Sequence, residues 1–256
     1  MILDVPDAAI GMLAFITIFA GGMAGLQLYR LLPEHHLTTE TRDVVRLGIG
    51  MISILASLVL GLLTASAKST FDDADRTMRS YTADIILLDG MLRNYGTEAD
   101  TIRKMVLEYT ERARRTTWGD QSGQGPLEDK NLGKLLYEAA QNILALVPVN
   151  DNQRWLRSQA LDIASRLIHT RLSLLANQNG SISPVLLVLM VVWITMIFAS
   201  FGLNAPRNAT VVGAFLVCSL SIGASIFLIL EMDTPFDGII MVSGEPMMSA
   251  LDHLRE

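Results

Sequence analysis

The sequence predicts an all-α polytopic membrane protein, with four transmembrane helices and a helical soluble insert between spans two and three. Three observations predict it. Four apolar runs, Ala8 to Tyr29, Leu47 to Ala67, Pro184 to Leu203 and Ala209 to Leu230, contain no Asp, Glu, Lys, Arg or His. Each is about 20 residues or longer, enough for a helix to cross a hydrocarbon core of about 30 Å. The charges concentrate in the stretch between the second and third runs, and no segment there alternates convincingly enough to be a strand. Hydrophobic residues make up 50% of the chain and charged residues only 18%.

The first run ends in small residues, Ala20 to Gly25, as a cleavable leader would. However, Asp4 and Asp7 precede it and no Lys or Arg does. A secretory leader has a basic start and a shorter apolar core, so the run is expected to be retained. Residues 1–67 then form a transmembrane hairpin with spans 8–29 and 47–67. The connecting turn contains LPEHHLTTETRD.

The second span carries the most specific pattern. Gly50, Ser53, Ser57, Gly61 and Thr64 follow one another at steps of three and four, so they share a helical face. Beyond the membrane the steps continue through Ala67, Phe71, Ala74, Met78, Tyr81, Ile85, Leu88, Leu92 and Tyr95. This is a coiled-coil seam running out of a membrane helix. One helix from Val44 to Tyr95 is about 75 Å long and needs partners, either later insert helices or copies of itself.

Residues 68–181 form the insert. Gly96 suits a helix end, and Thr97 with Asp100 resembles a capping box. Gly119 to Pro126 reads as a loop. Helices follow from about Asp129 to Val147 and from Asp151 to about Ala176, separated by Pro148 and capped by Asn150 or Asp151. Residues 182–256 form the second hairpin, with spans 184–203 and 209–230 plus a short tail. Pro206 ends one helix and Asn208 caps the next.

The small-residue face has two readings. Small residues let membrane helices approach closely, which is their commoner use. Alternatively, the face lines a narrow and mildly polar pore. Arg46 lies four residues before Gly50 and Lys68 four after Thr64, so each mouth of such a pore would carry cations and favour anions. Both cations can instead simply reach the interface, and Asp72 can neutralise Lys68.

The segments LPEHHL, LVLGLLTASAKSTFD, FASFGLNAPRNATVV and EMDTPFDG resemble the bacterial bestrophin-like membrane proteins, and the likeness covers nearly the whole chain. Bestrophins are pentameric anion channels with four spans, a long helical cytosolic portion and a second span lining the neck. The resemblance therefore implies a homo-oligomer, a pentamer by analogy, that passes inorganic anions across the lipid bilayer of a bacterial inner membrane. It also makes the acidic stretch holding Glu231, Asp233 and Asp237 a candidate ion or gating site. Two departures stand out. The dense acidic run that binds calcium in animal bestrophins is missing, and the aromatic and aliphatic neck residues have no equivalent among Gly50, Ser53, Ser57 and Gly61.

Other groupings are weaker. Glu34, His35, His36 and Glu40 contain metal-ligating types, but adjacent histidines in a polar hairpin are usually solvated. Arg112, Arg114 and Arg115 before Trp118 fit a solvated helix end. Trp193 sits mid-span as packing. Cys218 is the single cysteine, so no intrachain disulfide forms. No nucleophile elbow, phosphate loop or dinucleotide fingerprint occurs, so neither an enzyme nor a cofactor is expected. No clustered basic face suggests nucleic acid. The alternative function is a non-conducting membrane sensor or scaffold assembled through the long helix.

Orientation is argued two ways. Arg30, Arg42, Arg46 and Arg207 in the hairpin turns put those turns in the cytoplasm by the positive-inside rule. Lys68, Arg76, Arg79, Arg166 and Arg171 near the insert's membrane ends favour a cytoplasmic insert, as does the bestrophin resemblance. The cytoplasmic insert is the expectation carried forward.

Overall fold

Four of the helices in the computed structural model are long and apolar enough to cross a membrane. The structure describes residues 6–28, 39–119, 130–176, 180 and 182–256. Its helices are α1 (Asp7–Leu28), α2 (Thr39–Tyr95), α3 (Asp100–Trp118), α4 (Lys130–Ala145), α5 (Asp151–Ala176), α6 (Pro184–Asn204), α7 (Ala209–Asp233) and α8 (Glu245–Arg255). No strand occurs among the described residues. The chain divides into two units, residues 1–70 with 181–233, and residues 71–180 with 234–256.

In the first unit α1 packs along both α6 and α7. Glycines make that packing possible. A methyl group added at Gly11 would lie 2.8 Å from Phe227 Cβ, and one at Gly223 would lie 2.8 Å from Phe15 Cβ. Gly25 of α1 meets the Ala199 carbonyl of α6, and Gly202 of α6 meets the Gly22 carbonyl of α1, so closely that neither position has room for a side chain. Without a hydrophobic difference between helix and lipid, such backbone proximity is what holds membrane helices together. Ile18, Met190, Ile226 and Ser219 fill the buried centre. The Ser219 hydroxyl donates to the Phe215 carbonyl at 2.6 Å, which satisfies it inside the bundle.

The second unit is built on the later part of α2. Met78, Tyr81, Ile85, Leu88, Leu92 and Tyr95 are all at most 4% exposed and belong to one core with residues of α3, α4, α5 and α8. The part of the seam from Met78 to Tyr95 is thus covered by the insert's helices together with α8. Gly96 ends α2 with φ 128°, a conformation side-chain-bearing residues rarely adopt. The expected capping box does not form. A 3-10 turn, Thr97–Ala99, intervenes, and neither it nor α3 has a side-chain cap. Asn150 does cap α5, its Oδ1 accepting the Gln153 N–H at 2.7 Å. Of the expected loop at Gly119 to Pro126, residues 120–126 lie outside the described residues.

Within the short tail that follows the fourth span, α8 packs on α3 and buries Met247, Ala250, Leu251 and Leu254. The Trp118 indole donates to the Val242 carbonyl at 2.9 Å, and Arg255 pairs with Glu111 at 2.6 Å. Asp89, 3% exposed, accepts from Arg103 at 2.7 and 3.1 Å and from Arg93 at 3.1 Å. A buried carboxylate needs such charged donors to offset its lost hydration.

Candidate functional site

Consecutive helix positions differ by about 100°, and this separates two faces of the membrane part of α2. One stripe, Ala56, Leu63 and Ala67, is buried against the first unit's core, with Ile49, Ile52, Val59 and Leu60 beside it. The small-residue stripe lies about a quarter-turn away. Gly50, Ser57, Gly61 and Thr64 are exposed, and only Ser53 is half-buried. A methyl group at Gly50 or Gly61 would meet nothing within 4 Å. Beyond that stripe lie Leu47, Met51, Ile54, Leu58 and Leu62, all at least 65% exposed. Only 11% of the α2 span is buried, against 28–33% for the other three.

Two of the stripe's hydroxyls, those of Ser53 and Thr64, are turned on their own helix. Ser53 Oγ donates to the Ile49 carbonyl and Thr64 Oγ1 to the Leu60 carbonyl, both at 2.8 Å. Each therefore presents an oxygen lone pair rather than a proton to its surroundings. Arg46 is 67% exposed and lies 3.9 Å from Asp43. Lys68 is exposed at the other end of the stripe. At the standard rise these cations are ~33 Å apart, close to the thickness of a hydrocarbon core. Arg46, Gly50 and Ser53 also border a cavity of about 480 Å³ shared with Ser200, Phe201 and Asn204 of α6.

The acidic stretch is placed differently. Glu231 and Asp233 are each 4% exposed in the first unit. Asp233 Oδ2 accepts the Ile182 N–H at 3.0 Å, just before α6 begins. Asp237 belongs to the second unit, is exposed, and accepts the Gly238 N–H at 2.9 Å. Among the described residues no three His, Cys, Asp or Glu side chains gather as metal ligands. Glu34, His35 and His36 lie outside the described residues. Cys218 is exposed on α7.

Sequence reasoning missed two features. One is a cavity of about 350 Å³ at the α1–α7 end, beside Arg207. The second is a buried tyrosine pair in the soluble unit. The Tyr81 and Tyr109 hydroxyls hydrogen-bond to each other. Burial pushes Tyr81 well above its ordinary pKa and Tyr109 to about 12, while the nearby Arg171 cation opposes both shifts. Tyr81 was visible only as a seam position, and no local signal marked Tyr109 as its partner.

With the geometry in place, comparison with known proteins decides the family. The bestrophin-like domain matches residues 16–247. The chain belongs to the bestrophin-like family. This bestrophin-like chain is also similar to solved structures. A bacterial bestrophin homologue from Klebsiella pneumoniae, phased with zinc, has a TM-score of 0.67 and 12% identity, covering 95% of this chain and 96% of its own. A point variant of a Klebsiella pneumoniae homologue has a TM-score of 0.68 and 13% identity, covering 96% and 99%. At that identity the likeness shows the fold. No curated protein is similar enough to match.

Proposed function

We propose that this bestrophin-like chain assembles as a homo-oligomer, pentameric by family analogy, and conducts inorganic anions across a bacterial inner membrane. The stripe Gly50, Ser53, Ser57, Gly61 and Thr64 faces the axis, and the insert is cytoplasmic. The observation that carries this reading is that its own chain leaves the stripe open. Gly50 and Gly61 have no neighbour within 4 Å of a would-be methyl group. Only 11% of the span window of this 57-residue helix is buried by its own chain, which leaves the face available to further copies. Arg46 and Lys68 put positive charge at both mouths, which favours anions. Glu231, Asp233 and Asp237 are then candidates for gating from the end of α7. The reading needs no bond-breaking chemistry, hence no catalytic residue or cofactor.

The continuity of α2 also favours a second reading, a non-conducting sensor or scaffold assembled through that helix. Purified protein in planar bilayers under an asymmetric chloride gradient separates the two. The channel reading expects discrete currents with an anion-selective reversal potential. It also expects loss of current in Ser57→Trp and a shifted reversal potential in Lys68→Glu. Silence of a well-folded oligomer across pH and calcium would favour the scaffold.

A further inference from the structure

Between α7 and α8 the chain closes a small loop, residues 234–244. The Asp237 N–H donates to the Thr234 carbonyl at 3.1 Å, a turn with Pro235 at its first corner. The Val242 N–H then donates back to the Pro235 carbonyl at 2.9 Å. Gly238, with φ 94°, bends the chain between these bonds as only glycine does readily. The base of the loop is anchored. Val242 is 2% exposed, Phe236 packs on the same core, and the Val242 carbonyl accepts the Trp118 indole at 2.9 Å. Gly244 leaves room for that indole, since a methyl group there would lie 3.1 Å from it.

The tip behaves in the opposite way. Ile239 is 80% exposed and Met241 38%. Exposure alone does not say what an apolar side chain is for, because Val147 and Val149 at the α4–α5 corner are as bare. The place of Ile239 in the chain distinguishes it. The fourth span, α7, ends at Asp233, six residues earlier, and its charge-free run ends at Leu230. The turn keeps the Thr234 and Asp237 Cα atoms within about 7 Å, and two more residues add at most about 7 Å. Ile239 is therefore within about 14 Å of Thr234, where a headgroup layer is itself about 5–8 Å deep. The loop contains no Lys or Arg. Its one charged side chain, Asp237, has Oδ1 turned onto the Gly238 N–H at 2.9 Å. A surface of this kind is attracted by acyl carbons and not by anionic headgroups.

We propose that the tip of this loop is an interfacial membrane anchor, with Ile239 dipping into the boundary between headgroups and acyl chains and Met241 lying against it. The occupant is the bilayer surface, and the contact is independent of headgroup charge. The anchor does not depend on whether the protein conducts.

Depth measurement on the full-length protein in lipid nanodiscs tests the proposal. Cys218→Ala leaves a single introduced thiol, Ile239→Cys or Met241→Cys, for an environment-sensitive fluorophore. Nitroxide carried near the top of the lipid acyl chain should quench the label at 239 several-fold more than nitroxide near the chain end. Aqueous iodide should quench it weakly, and phosphatidylcholine and phosphatidylglycerol discs should give the same result. A label at Glu98→Cys, past the far end of α2, should show the reverse, strong quenching by iodide and little by lipid. Adding Ile239→Asp should lower lipid quenching of the label at 241 several-fold. Unchanged quenching there would show that the fluorophore and not the loop enters lipid, and would overturn the proposal. So would iodide quenching at 239 equal to that at 98, which places the tip in water. Protection from both quenchers would overturn it in favour of a second copy covering the tip, and lipid quenching confined to phosphatidylglycerol would overturn the apolar account.

Discussion

In the α1–α6–α7 layer most glycines mark places where one helix presses on another, with Gly213 of α7 the exception that faces open space. In the membrane part of α2 a glycine marks a place that nothing of the same chain approaches. Gly11, Gly25, Gly202 and Gly223 each sit against a neighbouring helix with no room for a methyl group, while Gly48, Gly50 and Gly61 face open space. The residue type and the apolar setting are the same, so composition alone does not say what a membrane glycine is for. What differs is the partner. The first set has its partner within the chain, and the second set has none within it. Small residues therefore divide this membrane unit into a closely packed layer and a helix face left open, which the proposed assembly would cover.

The largest effect should come from adding one methyl group to the first set. Gly25→Ala forces α1 away from α6 and should cost about 1–3 kcal/mol, as overpacking does. A lowered melting temperature and loss of a monodisperse peak in detergent would register it, and an unchanged melting curve would refute the close-contact account. Gly61→Ala is the mirror experiment. With nothing to strike, the methyl group should leave thermal stability unchanged or raise it by up to about 1 kcal/mol, since glycine weakens a helix interior. If Gly61→Ala instead broke the oligomer, the open stripe would be a packing surface between copies rather than a water-facing wall.

The soluble unit extends the contrast, because its centre holds polar groups that are already partnered. Tyr81 and Tyr109 have folded-state pKa values raised by burial, so both stay neutral up to pH values where the unfolded chain ionises. The tyrosine pair's contribution should therefore be constant below pH 10 and fall as pH climbs from the unfolded value towards about 12. Tyrosinate absorbance rising together with loss of helical circular dichroism would show this, whereas ionisation well before unfolding would contradict it. Tyr81→Phe should cost about 1 kcal/mol by removing one hydroxyl from the pair.

The smallest effect concerns α8. Arg255 holds the Glu111 carboxyl below its ordinary pKa. That contribution is present above the unfolded carboxyl's value and lost as pH falls through the lowered one. Both side chains are partly solvated, at 58% and 31%, so water screens the pair and it contributes little. Arg255→Gln should change hydrogen exchange in α8 only slightly at neutral pH, and less still once acid has protonated Glu111. A large loss of protection would mean that the ion pair, rather than Met247 and Leu254, holds the helix.

Some of this was legible in the sequence for physical reasons. Charge-free runs fix where a backbone can lie in lipid, so α1, α6 and α7 begin and end within a few residues of the runs. The seam from Met78 to Tyr95 was readable because a step of three and four is a direct image of a buried helix face. The helix α8 was missed although Met247, Ala250, Leu251 and Leu254 have the right spacing. An eleven-residue helix with Pro246 in its first turn is too short for periodicity to stand out. For the candidate site, spacing placed Gly50 to Thr64 on one face but could not say what that face meets. Only the orientation of Ala56, Leu63 and Ala67 towards the core turns the stripe outward. The α1–α7 cavity had no signal at all, since Gln27 and Arg207 are 180 positions apart in the chain.

The soluble unit is discontinuous, since residues 234–256 join residues 71–180 only after α6 and α7 have been made. A ribosome delivers this chain in order, and domains ordinarily close as they emerge. Here Trp118 and α3 must wait for Val242 and α8 while two more spans enter the bilayer. For that interval the apolar face of α3 destined for Met247 and Leu254 is bare. The timetable of synthesis thus orders the two events, with membrane insertion finishing before the soluble core closes.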